Sequence, residues 1–245
     1  MNTDIILQES SRPYGIALYQ SILPQQVCQK VIEYFEATPK TTDILTKTNG
    51  KARTFEEIIM SEDVWYQHKI LQKVHTNLIH SLHAYLDTYI AQDDLRQKIK
   101  SGIYNIQPRM KKYNPGDEFP LHSDDSSLLA MTRKFAYILY LNDNFTGGST
   151  IFRNGKTEIA RITPQEGTLA IFPTHSIYMH EGEKVETGSK YILNGFVEVL
   201  VSQARIESTD GSSPHFSKQE IVAKEIALLF AHLAKANAKI FGNKP

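Results

Sequence analysis

The sequence predicts an α+β protein, with helical segments flanking a run of short strands that suggests a sandwich or jelly roll. Three observations predict it. Apolar residues recur at helical spacing before Gly102 and again near the C-terminus. Between these regions, short runs rich in β-branched and aromatic residues alternate with turn clusters. Six or more such strands at this spacing point to a two-layer all-β core.

Taken in order, residues 1–15 are a polar lead-in. SILPQQVCQKVIEYFEATPK reads as a helix from Pro24 to just before Pro39, with Val27, Val31 and Phe35 along one stripe. KTTDILTKTNGKAR is polar and turn-rich and is expected to be a loop. From Ser61 to about Lys100 the pattern is helical again, with Ile70, Val74, Leu78, Leu82 and Leu86 on one side. RMKKY, FAYILYL, STIF, EIARI, TLAIF and KYILNGFVEVL are the strand runs, broken by NPGD, NDNFTGG, RNGK, TPQEG and ETGS. At the C-terminus, Ser217 and Glu220 form a capping box, with Phe216 and Ile221 as its staple and Gly242 past the helix end. This gives an N-terminal helical region (1–100), a strand-rich core (101–201) and a C-terminal loop and helix (202–245), as one structural domain.

Composition excludes some functions. Hydrophobic residues make up 41% and charged residues 22% of the 245 positions, an ordinary globular balance. Lys+Arg and Asp+Glu are both 27, and such neutrality argues against a nucleic-acid partner. Cys28 alone permits no internal disulfide and no cysteine-based zinc cluster. The N-terminus lacks the pattern of a signal peptide, and no run is apolar enough to span a bilayer. The expectation is a cytoplasmic protein with no membrane partner.

PLHSDDSS (120–127) carries the chemistry. On an extended chain, residues two apart share a face, so His122 and Asp124 aim at one point while Asp125 turns away. A metal ion suits that pair if a third ligand arrives from elsewhere. His68, His75, His80 and His83 fall in a helical region with no acid placed to complete a site, and His215 and His232 have no such partners. His175 and His180 both follow the strand TLAIF, and spacing does not choose between them. Two histidines and one carboxylate form the facial triad of non-haem Fe(II) oxygenases, which leaves three positions open. Zinc is the competing metal.

Residues 109–200 resemble the prolyl 4-hydroxylase-like branch of the Fe(II)/2-oxoglutarate dioxygenases. The resemblance lies in KKYNPGDEFPLHSD, ILYLNDNFTGGSTIF, ITPQEGTLAIFP and MHEGEKVETGSKYILNGF, which follow the family's order and spacing. It implies a double-stranded β-helix (jelly roll) core, with the helices buttressing it. The family's second histidine precedes a Val by five residues and a basic residue by ten. His180, Val185 and Lys190 match, with Gly188 in place, whereas His175 does not. The resemblance thus implies His122, Asp124 and His180 as Fe(II) ligands. It implies Lys190 as partner of the distal carboxylate of 2-oxoglutarate, Tyr140 as a second donor to it and Tyr113 in the same pocket. Ser149, Phe196 and EGEK (181–184) depart from frequent family residues and leave the substrate open. Asp124 is retained, which favours hydroxylation over halogenation.

The implied reaction couples decarboxylation of 2-oxoglutarate to succinate and CO2 with hydroxylation of an aliphatic C–H by O2, with ascorbate as supporting reductant. A prolyl or other amino-acid residue in a peptide is the expected substrate, with a free amino acid or small metabolite as the alternative. Arg109 and Lys111 share the face of Tyr113 and are candidates for a substrate carboxylate, and Arg153 is a weaker one. KTTDILTKTNGKARTFEE is a candidate lid. A non-catalytic metal-binding jelly roll is the alternative of another class. An AlkB-like demethylase is disfavoured by Asn194 and by the neutral charge. The helical stripes serve either as buttress or as a homodimer interface.

Overall fold

A computed structural model describes residues 15–46, 52–60, 64, 67–101, 103–126, 130 and 133–199. The chain divides into two units, 1–199 and 200–245, and the described residues all lie in the first. The polar lead-in 1–14 and the C-terminal helix with its capping box lie outside the described residues.

The first helix, α1 (Gln25–Ala37), starts and stops at prolines. Pro24 caps it with an extended backbone, and its carbonyl accepts from Val27 and Cys28 N–H at 2.8 and 3.2 Å. Thr38 turns extended because the residue before Pro39 is barred sterically from helical geometry. The region read as one helical stretch from Ser61 to Lys100 contains α2 (Lys69–Tyr89) and α3 (Asp93–Ser101), separated at Ile90. Leu71, Val74, Leu78, Leu82 and Leu86 of α2 are buried, and Ile70 only partly. Burying each such side chain stabilises the fold by about 1.5–3 kcal/mol.

The strands are β1 (Ala17–Tyr19), β2 (Thr41–Thr46), β3 (Ala52–Ile59), β4 (Ile103–Tyr113), β5 (Phe119–His122) and β6 (Arg133–Tyr140). They continue with β7 (Thr146–Gly147), β8 (Thr150–Asn154), β9 (Thr157–Ile162) and β10 (Leu169–Pro173), then β11 (His180–Gly182), β12 (Val185–Thr187) and β13 (Lys190–Val199). The larger sheet runs β1-β10-β6-β13-β4-β3-β2, a second runs β5-β11-β8-β9, and β12 pairs with β7. All the pairings are antiparallel. This is an α+β jelly roll.

Within the expected loop at 40–53, residues 41–46 and 52–53 belong instead to two strands of the large sheet. β2 pairs with β3 from Thr41↔Glu57 to Thr46↔Ala52, and β3 pairs with β4 from Glu56↔Lys112 to Ile59↔Arg109. Polarity misled here. An edge strand needs little apolar content when its backbone pairs on one side.

Period-2 alternation separates two cores. Leu139, Leu169, Ile171, Leu193, Val197 and Met110 face α1 and α2. Tyr140, Ala170, Phe172, Ile192 and Tyr113 face inward, against Phe152 and Ile162 of the smaller sheet. At Gly195 a Cβ would lie 2.3 Å from the hydroxyl of Tyr137, its paired residue on the neighbouring strand β6.

Candidate functional site

His122 ends β5 and His180 opens β11, and the antiparallel register sets them directly opposite each other. Their ring centroids are 4.3 Å apart. Each ring is fixed from behind. Nδ1 of His122 is 2.9 Å from the Pro120 carbonyl, and Nδ1 of His180 is 3.0 Å from the Tyr178 carbonyl. A carbonyl only accepts, so each Nδ1 carries the proton and each Nε2 presents a lone pair.

The two Nε2 atoms lie 3.4 and 3.7 Å from the Asp124 carboxylate. One ligand atom from each of the three residues falls within 4.8 Å of the others. Three electron-pair donors aimed at one point repel one another unless a cation sits among them. Two imidazoles and one carboxylate fit a divalent transition metal.

The local geometry differs from the extended triplet that the sequence led us to expect. β5 stops at His122, and Asp124 lies in the turn that follows. Asp124 still reaches the histidines because the turn folds back. Its carbonyl accepts from Nη1 of Arg133 at 3.2 Å. Asp125 does turn away, taking a short hydrogen bond from the Ser123 hydroxyl and lying 3.7 Å from His175. His175 is exposed at 64% of its side chain and is not part of the cavity wall.

A cavity of about 510 Å³ opens between the sheets and contains all three converging residues. That is the size of a small-molecule site. Lys190, the first residue of β13, is only 5% exposed and lines the cavity. Its Nζ donates to the Gly148 carbonyl at 2.6 Å and lies 5.5 Å from the ring centres of Tyr113 and Tyr140. Burial pushes this amine down to about 7, Glu183 opposes the shift, and Lys111 adds to it. A buried ammonium with one neutral acceptor is a receptor for a carboxylate.

Tyr113 lines the cavity, packed on Phe55 at 5.4 Å. Tyr140 sits behind the wall, its hydroxyl shared with Thr150 Oγ1 at 2.8 Å, and Thr150 is the residue that faces the cavity. Burial raises the Tyr140 phenol, which stays protonated. Arg109 and Lys111 line the cavity beside Tyr113, as strand alternation predicts. Arg153 does not. Its Nε pairs with Glu181 at 2.6 Å outside the wall. Of the helical histidines, His68 packs edge-on to Tyr34, and His215 and His232 lie outside the described residues.

Sequence reasoning gave no site role to Arg133, Asn194 or Glu183. All three line the cavity. Period-2 alternation from Lys190 marks Asn194 as inward, but nothing local marks Arg133. Glu183 is held away from Lys190 by Arg161 at 2.9 Å.

Residues 108–198 match the model of the 2OG-Fe(II) oxygenase superfamily. The matched stretch holds His122, Asp124, His180 and Lys190. A site of this kind works with Fe(II), 2-oxoglutarate and O2. None of the curated proteins searched matches the sequence. Among solved structures, the oxygenase is similar to an oxidoreductase of the 2OG-Fe(II) oxygenase family from Burkholderia pseudomallei. The TM-score is 0.56 at 12% identity, covering 75% of this chain and 85% of that one. A Pseudomonas putida prolyl-4-hydroxylase gives TM-score 0.55 at 15% identity, over 76% and 92% of the two chains. A Trichoplax adhaerens prolyl hydroxylase, solved with a hypoxia inducible factor peptide fragment, gives 0.55 at 16%, over 77% and 88%. At these identities the likeness is one of fold. No helix among the described residues is long and apolar enough to cross a membrane.

Proposed function

We propose that the oxygenase hydroxylates an unactivated aliphatic C–H of a prolyl or other amino-acid residue, releasing succinate and CO2. The observation that carries this reading is the convergence of two unprotonated Nε2 atoms and one carboxylate inside a cavity that also holds a buried lysine.

In this reading His122, Asp124 and His180 hold Fe(II), which supplies the O2-activating redox chemistry. Lys190 takes the distal carboxylate of 2-oxoglutarate and Tyr113 walls the same pocket. Thr150, oriented by Tyr140, adds a hydroxyl to that pocket. The backbone carbonyls of Pro120 and Tyr178 keep both imidazoles in the ligating tautomer. Phe152 and Phe172 pack around His180, at 5.6 and 4.9 Å between ring centres, and exclude water from that side. Ascorbate would serve as external reductant.

The cationic groups on β4 favour a second reading of the substrate, a free amino acid or small metabolite. A metal-binding protein without chemistry would have no use for a buried lysine beside the converging ligands.

The test is anaerobic addition of Fe(II) and 2-oxoglutarate to metal-stripped protein. The visible charge-transfer band of the chelate is followed in wild type, His180→Ala and Lys190→Ala. The band should vanish in the first variant and need higher 2-oxoglutarate in the second. Metal binding with no band in the wild type would overturn the proposal.

A further inference from the structure

Away from the converging ligands, one wall of the cavity holds three polar side chains that the chemistry above leaves unused. Arg109 on β4 and Asn194 on β13 are direct cross-strand partners. Paired residues of this kind bring their Cβ atoms to about 4.5–5.5 Å. Two residues further along the same face of β13 lies Phe196. The guanidinium of Arg133 stacks over its ring at 3.7 Å. All four line the cavity.

Within the described residues Arg133 donates to the Asp124 carbonyl at 3.2 Å and Arg109 to Glu57 at 3.4 Å, each through one nitrogen. Asn194 Oδ1 is buried with no hydrogen-bond partner, and Arg133 Nε is likewise unpartnered. Each guanidinium has a buried carboxylate behind it, but at a distance. Arg109 Nη1 is 3.4 Å from Glu57, and Arg133 Nε is 3.8 Å from Glu198. A charge-assisted fork closes to about 2.7–2.9 Å. Both arginines therefore keep donors for something else. Glu57 and Glu198 offset the two arginines from behind, and both guanidinium side chains still line the cavity, where an anion would lie beside two positive charges. The Asn194 amide, whose Oδ1 has no partner among the described residues, can turn to present N–H to the same anion.

We infer that Arg109, Asn194 and Arg133 form a carboxylate grip, and that the substrate carries a free carboxylate: a free α-amino acid or the C-terminal residue of a peptide. The inference rests on the oxygenase reading above and narrows its substrate class. An internal peptide residue offers only neutral amides to this wall. It would leave the arginine donors underused. A carboxylate engages them, with Phe196 as the apolar floor beside it.

The experiment uses the whole protein loaded with Zn(II) and N-oxalylglycine, an inert stand-in for the cosubstrate. Three probe sets are titrated calorimetrically: L-amino acids, dipeptides with free C-termini, and the C-terminal amides of both. At least one free acid should bind, and its amide at least 30-fold more weakly. Arg109→Gln and Asn194→Leu should erase that difference between acid and amide while N-oxalylglycine still binds. Arg109→Lys should restore part of it. Preference for free amino acids over dipeptides, or the reverse, identifies the source of the carboxylate. Acid and amide binding equally, no acid binding while N-oxalylglycine binds, or variants that keep the preference, would each overturn the grip. Failure of N-oxalylglycine itself to bind would strike the oxygenase reading instead.

Discussion

Replacing Lys190 by methionine should stabilise the metal-free protein at pH 6 while weakening 2-oxoglutarate binding. The amine belongs near 10.5, and burial brings it to about 7. A fall of between three and four pH units corresponds to roughly 5 kcal/mol set against the charged form. Below pH 7 the amine is protonated in both folded and unfolded chains, so the folded state bears that full cost. Between about 7 and 10.5 only the unfolded chain holds the proton, and stability rises with pH. Above 10.5 the cost is gone. Methionine removes the titration but leaves the Gly148 carbonyl without its 2.6 Å donor, a loss of about 1–3 kcal/mol. The net gain at pH 6 is thus ~2–4 kcal/mol, falling to nothing or to a small loss by pH 9.5. Urea denaturation of wild type and variant at the two pH values reads this directly, because every other group cancels in the comparison. Equal destabilisation at both values would refute the reasoning. The same titration requires 2-oxoglutarate to bind wild type up to tenfold more weakly per pH unit above about 7, since its carboxylate needs the charged amine.

Gly148→Ala should weaken 2-oxoglutarate binding while sparing metal affinity. At φ +68 a side chain is strained, and its Cβ would lie 2.9 Å from the Phe145 ring and 3.2 Å from Lys190 Cδ; metal and cosubstrate titrations separate the two effects. Asp124→Ala should lower Fe(II) or Zn(II) affinity by more than the about 10–100-fold that loss of a supporting contact costs, measured by competition with a chelator. The Tyr191 hydroxyl, followed by Lys112 and Lys40, holds the Glu36 carboxyl down to about 2 although burial opposes it. Its contribution is full above about 4.5 and is lost as pH falls toward 2. Glu36→Gln should therefore flatten the acid limb of the stability curve.

The inner face of the site was legible because its signals are local or periodic. His122 and Asp124 converge as read, though through a turn and not along one strand, and the alternation of Arg109, Lys111 and Tyr113 survives folding, whereas the spacing from His180 to Lys190 spoke only through the family resemblance. The α1 boundaries were readable because prolines set them. What stayed hidden depends on three dimensions. β2 and β3 are too polar to announce strands, and their pairing is decided by the open edge of β4. Tyr140 faces the inner core as expected, yet Thr150 stands between its hydroxyl and the cavity. Arg133 gains its place only when β6 packs beside β13 and the turn after β5 brings the Asp124 carbonyl within reach. No spacing in the sequence encodes that meeting.

The hidden hairpin bears on the substrate. β3 sets Glu57 opposite Lys111 and Phe55 against Tyr113 and Phe119. Glu57 is only 6% exposed, and so is a buried carboxylate that requires cations. Arg109 lies 3.4 Å from it, while Lys111 Nζ sits 4.3 Å from the Phe55 ring centre. The carboxylate of β3 therefore lets two basic side chains stand in the cavity wall before any substrate arrives, and it competes with the substrate for Arg109. Glu57→Gln separates these effects. Arg109 keeps 35% of its side chain exposed, so losing the Glu57 charge should cost the free protein only about 1 kcal/mol. The released guanidinium should bind a carboxylate probe more tightly than in wild type. Calorimetry with the best free acid and urea denaturation read the two sides. Weaker acid binding in Glu57→Gln would mean that Glu57 positions Arg109 for its ligand and does not compete for it.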